Sequence, residues 1–130
     1  MSWDVAHDPT INVVVVTYTG RTTGEDLRAA TSAAIALGKE TGTSNFLVDA
    51  TDLEITASIF DIYALPTQQY VEGAKTTSRI AVIRPTAPDA VDAANFYETV
   101  CRNRGWFTRL FGERQSAVSW LVSDAMPIIA

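Results

Sequence analysis

Cysteine and histidine are almost missing from this chain: Cys101 and His7 are the sole examples in 130 residues. One cysteine excludes an intramolecular disulfide and fits a reducing compartment. One histidine excludes a zinc site built on two or more imidazoles. Basic residues are also scarce, ten against fifteen acidic, giving a net charge of −5. The chain therefore lacks the basic face that neutralising nucleic-acid phosphates requires. No apolar run approaches the ~20 residues that span a bilayer. The start, Met1-Ser-Trp-Asp-Val-Ala-His-Asp, has neither the basic residues nor the apolar stretch of a secretory signal. The expectation is a cytoplasmic protein with no membrane span and no nucleic-acid partner.

What is present is enough apolar material for one ordinary core, 47% of residues by count, so residues 1–130 read as a single domain. Trp3 to Asp8 and Ile11 to Tyr18 read as a hairpin around Pro9-Thr10. The consecutive Val13-Val-Val-Val16 implies cover on both faces. Thr22-Thr-Gly-Glu25 has capping-box spacing before a helix with Leu27, Ala30, Ala34 and Leu37 inward and Gly38 or Gly42 as its stop. Phe46 to Asp49 reads as a strand, and Asp49 to Glu54 as an acidic turn. A helix from about Ala57 is expected to break or kink at Pro66 and resume to about Lys75. Arg79 to Arg84 reads as a buried strand. Pro88-Asp89 opens a long helix with Ala90, Ala94, Tyr97 and Cys101 inward. A strand near Thr108 to Phe111 leads to a last helix, on which Ala117, Trp120 and Leu121 share one face. The order is β-β-α-β-α-β-α-β-α. Such alternation implies an α/β fold with a mixed, mostly parallel sheet of four to five strands, an N-terminal β-hairpin and helices packed on it.

Catalytic patterns are mostly absent. Gly20-Arg-Thr-Thr-Gly24 has neither dinucleotide spacing nor a P-loop ending, and Gly38-Lys39 is followed by Glu40. The polar group at the end of the central strand, Asp49, Thr51 and Asp52 with Glu54, occupies the place where open α/β sheets bind ligands. Asp49 reads first as a partner for local amides, and no metal or cofactor is expected. Cys101 sits at a core-facing position, where free cysteine behaves as a small hydrophobe. No Gly-x-Ser-x-Gly elbow occurs. Ser58-Ile-Phe-Asp61 has the spacing of an acidic capping box. Ser58 is thus an N-cap first and, because phosphate is favoured at a helix N-terminus, a phospho-acceptor second. Arg102, Arg104, Arg109 and Arg114 cluster near Trp106, Phe107 and Phe111, and read as solvated side chains whose stems cover apolar surface.

Several segments together carry a resemblance. These are the hairpin leading into Thr22-Thr-Gly-Glu-Asp-Leu27, the strand and turn Phe46-Leu-Val-Asp-Ala-Thr-Asp-Leu53, the strand Ile80-Ala-Val-Ile83, and Phe111 followed by Ala117-Val-Ser-Trp-Leu121. Across nearly the whole chain it resembles the SpoIIAA-like family of STAS/Sec14-type α/β proteins. The resemblance implies a four- or five-stranded mixed sheet, frequent homodimers and no established enzyme activity. The anti-sigma antagonist branch carries Asp-Ser-Ser-Gly at a helix start. Here the region reads Leu53-Glu-Ile-Thr-Ala-Ser-Ile-Phe60, and only Ser58 keeps a hydroxyl in register. The Sec14-like side implies an apolar pocket between helices and sheet, for which Ile59, Phe60, Ile62, Tyr63 and Tyr70 are the candidate lining, or else part of an ordinary core or a dimer face.

The functional expectation is a non-enzymatic binding or regulatory module acting through protein–protein interaction. The alternative is a carrier of a small apolar or lipid-like ligand. A homodimer is expected because Trp3, Phe60, Tyr63, Tyr70, Trp106, Phe107 and Trp120 exceed what one sheet face needs. The helix around Pro66 is the favoured face.

Overall fold

A computed structural model describes residues 2–123. Five strands and four helices follow the expected order: β1 Trp3–Asp8, β2 Val13–Thr22, α1 Gly24–Thr41, β3 Asn45–Ile55, α2 Ile59–Val71, β4 Arg79–Ile83, α3 Pro88–Asn103, β5 Phe107–Phe111 and α4 Arg114–Val122. The sheet order is β1-β2-β3-β4-β5. The β1–β2 hairpin is antiparallel and every other pair is parallel.

A sheet whose parallel strands run in sequence order has crossovers that all advance the same way. Right-handed connections then send α1, α2 and α3 to one face. The core agrees: Leu27 and Ala30 of α1, Ile62 and Leu65 of α2, and Ala90 and Cys101 of α3 pack with Val14, Val16, Ile80 and Val82. The opposite face is closed by α4, whose Ala117 and Leu121 lie on Val13, Leu47, Ala81 and Ile83. Alternating residues of Val13–Val16 in β2 and of Ile80–Ile83 in β4 thus serve separate cores, which explains why both runs are apolar throughout. Trp120 flanks the second core, tilted against Phe111 with ring centroids 5.6 Å apart.

Three local expectations need correction. Asp49 to Glu54 is not a turn, because β3 continues to Ile55. Between the pairs Thr17↔Asp49 and Thr19↔Asp52, β3 has one more residue than β2, a bulge. Beyond it Leu53 is buried between exposed Asp52 and Glu54, the alternation of a half-buried strand. The capping box of α1 lies one residue later than Thr22-Glu25. The Thr23 hydroxyl accepts from the Asp26 N–H and the Asp26 carboxylate accepts from the Thr23 N–H. Thr22 is unavailable because it is buried as the last residue of β2, where its hydroxyl donates to the Gly20 carbonyl. Finally, Pro66 does not divide its helix. α2 runs unbroken from Ile59 to Val71 and stops at Glu72 rather than Lys75. The Pro66 ring is fully buried, and that packing offsets the hydrogen bond its missing N–H forgoes.

Candidate functional site

Helix α2 begins at Ser58, whose extended backbone and hydroxyl cap it. The Ser58 hydroxyl accepts from the Asp61 N–H at 3.3 Å, and an Asp61 carboxylate oxygen accepts from the Ser58 N–H at 2.9 Å. That amide, foremost, holds the Asp61 carboxyl below its ordinary range, helped by the Ser58 hydroxyl and Arg28. Arg28 of α1 donates to Asp61 at 3.0 Å. Gly24 of α1 is buried directly against the same carboxylate, leaving no room for a Cβ. The two helix starts are therefore locked together. Further along, the Gln68 amide donates to the Arg28 carbonyl, the Ser32 hydroxyl and Glu72 at 2.9–3.0 Å, and Ser32 donates to Glu72 at 2.8 Å. A polar seam thus fixes the rotation of α2 against α1.

That rotation decides what the rest of α2 shows. Ile62, Leu65, Pro66 and Gln69 face inward. Ile59, Phe60, Tyr63, Tyr70 and Val71 face out and are 56%, 79%, 53%, 71% and 76% exposed. At 100° per residue these five fall within about a third of the helix circumference, over a length of about 18 Å. Tyr63 is partly held, stacked on Phe96 of α3 at 6.5 Å and covered by the Arg104 guanidinium at 4.5 Å. Arg104 also donates to the Thr67 hydroxyl. The candidates named for one site are therefore split: Ile62 turns inward and lines the cavity beneath α2, whereas Ile59, Phe60, Tyr63 and Tyr70 form an outer stripe and do not line that cavity.

Beneath α2 lies a cavity of about 110 Å³ between the sheet and helices α1, α2 and α3. Its wall is chiefly aliphatic, with Val16, Leu27, Ile62, Leu65, Ile80 and Val82 among the lining residues, and no charged side chain lines it. Gln69 is the polar feature that sequence reading missed. It is 95% buried and lines the cavity. Its carbonyl Oε1 accepts from the Tyr97 hydroxyl at 2.6 Å, while its Nε2 has no hydrogen-bond partner. The signal was available: Gln69 stands seven residues after Ile62 and four after Leu65, on their face of the helix. Burial pushes the Tyr97 hydroxyl well above its ordinary range, with Cys101 beside it adding to the shift. Cys101, fully buried, has its thiol pushed up to about 11 by burial, opposed by Thr108, Tyr97 and Arg104.

The strand-end group is occupied with local structure. Asp49 accepts from the Thr51 N–H at 3.1 Å and the Thr51 hydroxyl at 2.7 Å, and from Arg114 at 3.3 Å. Asp52 is an exposed strand residue paired opposite Thr19. His7 is hydrogen-bonded to the Asn12 side chain at 2.9 Å. Among the described residues no group of three or more His, Cys, Asp or Glu could hold a metal ion. No described helix is long and apolar enough to cross a membrane. Of the clustered arginines, Arg109 lies over Phe111 at 5.4 Å, Arg104 over Tyr63, and Arg114 meets Asp49.

One further residue escaped the sequence reading. Arg79, the first residue of β4, is buried and donates to the carbonyls of Trp120 at 2.9 Å and Ser123 at 2.6 Å. It also lies 6.0 Å from the Trp120 ring centroid. A cation at the C-terminal carbonyls complements the helix dipole, so Arg79 fastens α4 to the sheet.

No family model matches the chain, and no curated protein does. Among solved structures it is similar to that of an uncharacterized protein of the DUF3478 family, with a SpoIIAA-like fold, from Shewanella loihica PV-4. The two share 18% identity and superpose with a TM-score of 0.55 over 92% of this chain and 91% of that one. With the element order, the mixed sheet and this superposition in agreement, the chain has a SpoIIAA-like fold.

Proposed function

We propose that this protein is a non-enzymatic interaction module that associates through the outer face of α2, with a second copy of itself as the first partner. The observation that carries the reading is the stripe of Ile59, Phe60, Tyr63, Tyr70 and Val71, more than half exposed at every position. Scattered surface hydrophobics need no explanation, but five aligned on one rigid helix form a patch of the kind that marks interfaces. None of the five stripe side chains is charged, the Arg104 guanidinium over Tyr63 being the cation beside them, and the chain's net charge of −5 opposes an anionic membrane surface as its partner. A neutral, aromatic face fits another of its kind, and two-fold pairing is the commonest solution for soluble chains. The proposed role needs no reaction, in keeping with Cys101 and Asp49 being engaged in packing and local hydrogen bonds. Replacing Phe60 and Tyr70 together by Glu should yield a folded monomer. Unchanged association of that variant would refute the assignment.

A second reading, a carrier of a small apolar ligand, is favoured by the aliphatic cavity beneath the same helix. Native mass spectrometry of the purified chain tests it. A species heavier than 14.1 kDa by a small-molecule increment supports it, and the bare mass after exposure to apolar compounds counts against it.

A further inference from the structure

We infer that the cavity beneath α2 selects a neutral, compact, mostly apolar molecule carrying one hydrogen-bond-accepting oxygen, a ketone, ether or ester, which Gln69 Nε2 holds by donating to it. The inference rests on the carrier reading and adds the class of ligand to it.

Three features of the site define that class. The first is size. A cavity of about 110 Å³ lies between the ~30 Å³ share of one water and the ~150 Å³ of an engineered apolar cavity that takes up benzene. A ligand of about five or six heavy atoms fits that range. The second is charge. No Lys, Arg or His lines the wall, so a carboxylate or phosphate would be buried without a counter-charge, which is strongly unfavourable. The ligand is neutral.

The third is the polar group. Tyr97 carries one phenolic proton and has two neighbours that accept it, the Gln69 carbonyl at 2.6 Å and the Cys101 thiol. Sulfur is a weak acceptor, so the proton goes to Gln69 Oε1. That bond orients the carboxamide and leaves Nε2, 95% buried with its side chain, as the donor without a partner. An unpaired buried donor carries an uncompensated desolvation cost. A pure hydrocarbon would leave that cost in place, and an accepting oxygen removes it. The site therefore discriminates by hydrogen bonding on a mostly apolar wall, whose other polar lining residues are Tyr18, Thr31, Ser78 and Tyr97, the arrangement that gives small-molecule pockets their orientation and selectivity.

The test uses the full-length ¹⁵N-labelled chain titrated separately with cyclopentanone, methylenecyclopentane and cyclopentanol, similar in shape but differing at one group. Cyclopentanone is expected to bind at least as tightly as methylenecyclopentane and to move the Gln69 side-chain amide resonances, which the hydrocarbon leaves in place. In Gln69→Leu the ketone-to-hydrocarbon affinity ratio should fall about five- to tenfold, the worth of one neutral hydrogen bond. If that variant does not fold, the amide resonances of the wild-type protein decide. An unchanged ratio, tighter binding of cyclopentanol, or Gln69 resonances that ignore every probe, as with a water-only site, would overturn the inference. Binding of the hydrocarbon without selectivity defeats this inference and leaves the carrier reading standing. Binding of none of the three defeats both.

Discussion

Replacing Arg79 by Met removes a cation from beneath α4 while keeping a long apolar stem. Arg79 donates to the Trp120 and Ser123 carbonyls at 2.9 and 2.6 Å, with Leu121 further off at 3.4 Å. Hydrogen bonds to a charged group contribute about 1.5–3 kcal/mol each, so the two short ones amount to about 3–6 kcal/mol. Part of that is offset, because the variant no longer buries a guanidinium, whose desolvation costs several kcal/mol. The net expected loss is about 2–4 kcal/mol. For a domain of this length each kcal/mol moves Tm by about 4 °C, so the midpoint should fall by about 8–16 °C. Urea unfolding followed by circular dichroism gives the free energy directly. Arg79→Lys should recover only part of it, since Lys keeps the charge but places a compact ammonium where the guanidinium Nη1 reaches the carbonyls. A loss below about 0.5 kcal/mol would refute the view that Arg79 fastens α4.

Ser58→Ala should cost about 0.5–2 kcal/mol as the loss of an N-cap; thermal unfolding reads it, and an unchanged midpoint would remove the capping role. Cys101 should resist thiol reagents at pH 8 in the folded chain, because burial raises its thiol from 9.0 to about 11 and leaves little thiolate; rapid labelling without unfolding would contradict the buried geometry. The sign of the linked pH effect follows from that upward shift. The contribution is intact below about pH 9 and is lost as pH rises toward 11. Denaturant midpoints should fall over that window, and Cys101→Ala should flatten the slope.

Much of the fold was legible because several segments have one periodicity and one burial state. Val13 to Val16, Ile80 to Ile83 and the Ala117-Trp120-Leu121 face are of this kind, and each forms the element expected. The errors fall where residue chemistry and position disagree. Asp49, Thr51, Asp52 and Glu54 are turn formers by composition, yet the alternation of Leu53 and Ile55 with Asp52 and Glu54 is that of a strand. There polar side chains face water opposite Thr19 and Arg21. Helix α2 is apolar around most of its circumference, so periodicity could not separate Ile62 and Leu65, which enter the core, from Phe60 and Tyr70, which do not. What separates them is the seam from Asp61, Gln68 and Glu72 at α2 to Arg28 and Ser32 of α1, a tertiary contact no local pattern encodes. Arg79 was read only as the edge of a buried strand. Its spacing with Ala81 and Ile83 places it on the α4 side of the sheet, but its partners are carbonyls more than forty residues away.

The proposed function stands or falls on the outer face of α2 being an interface. Sedimentation equilibrium of the wild-type chain at micromolar concentration, beside the Phe60→Glu, Tyr70→Glu double variant, tests this most directly. The wild type is expected at twice the 14.1 kDa chain mass, and the variant, with unchanged circular dichroism, at the single-chain mass. A wild-type chain that sediments at 14.1 kDa, or a double variant that still pairs, would contradict the proposed function.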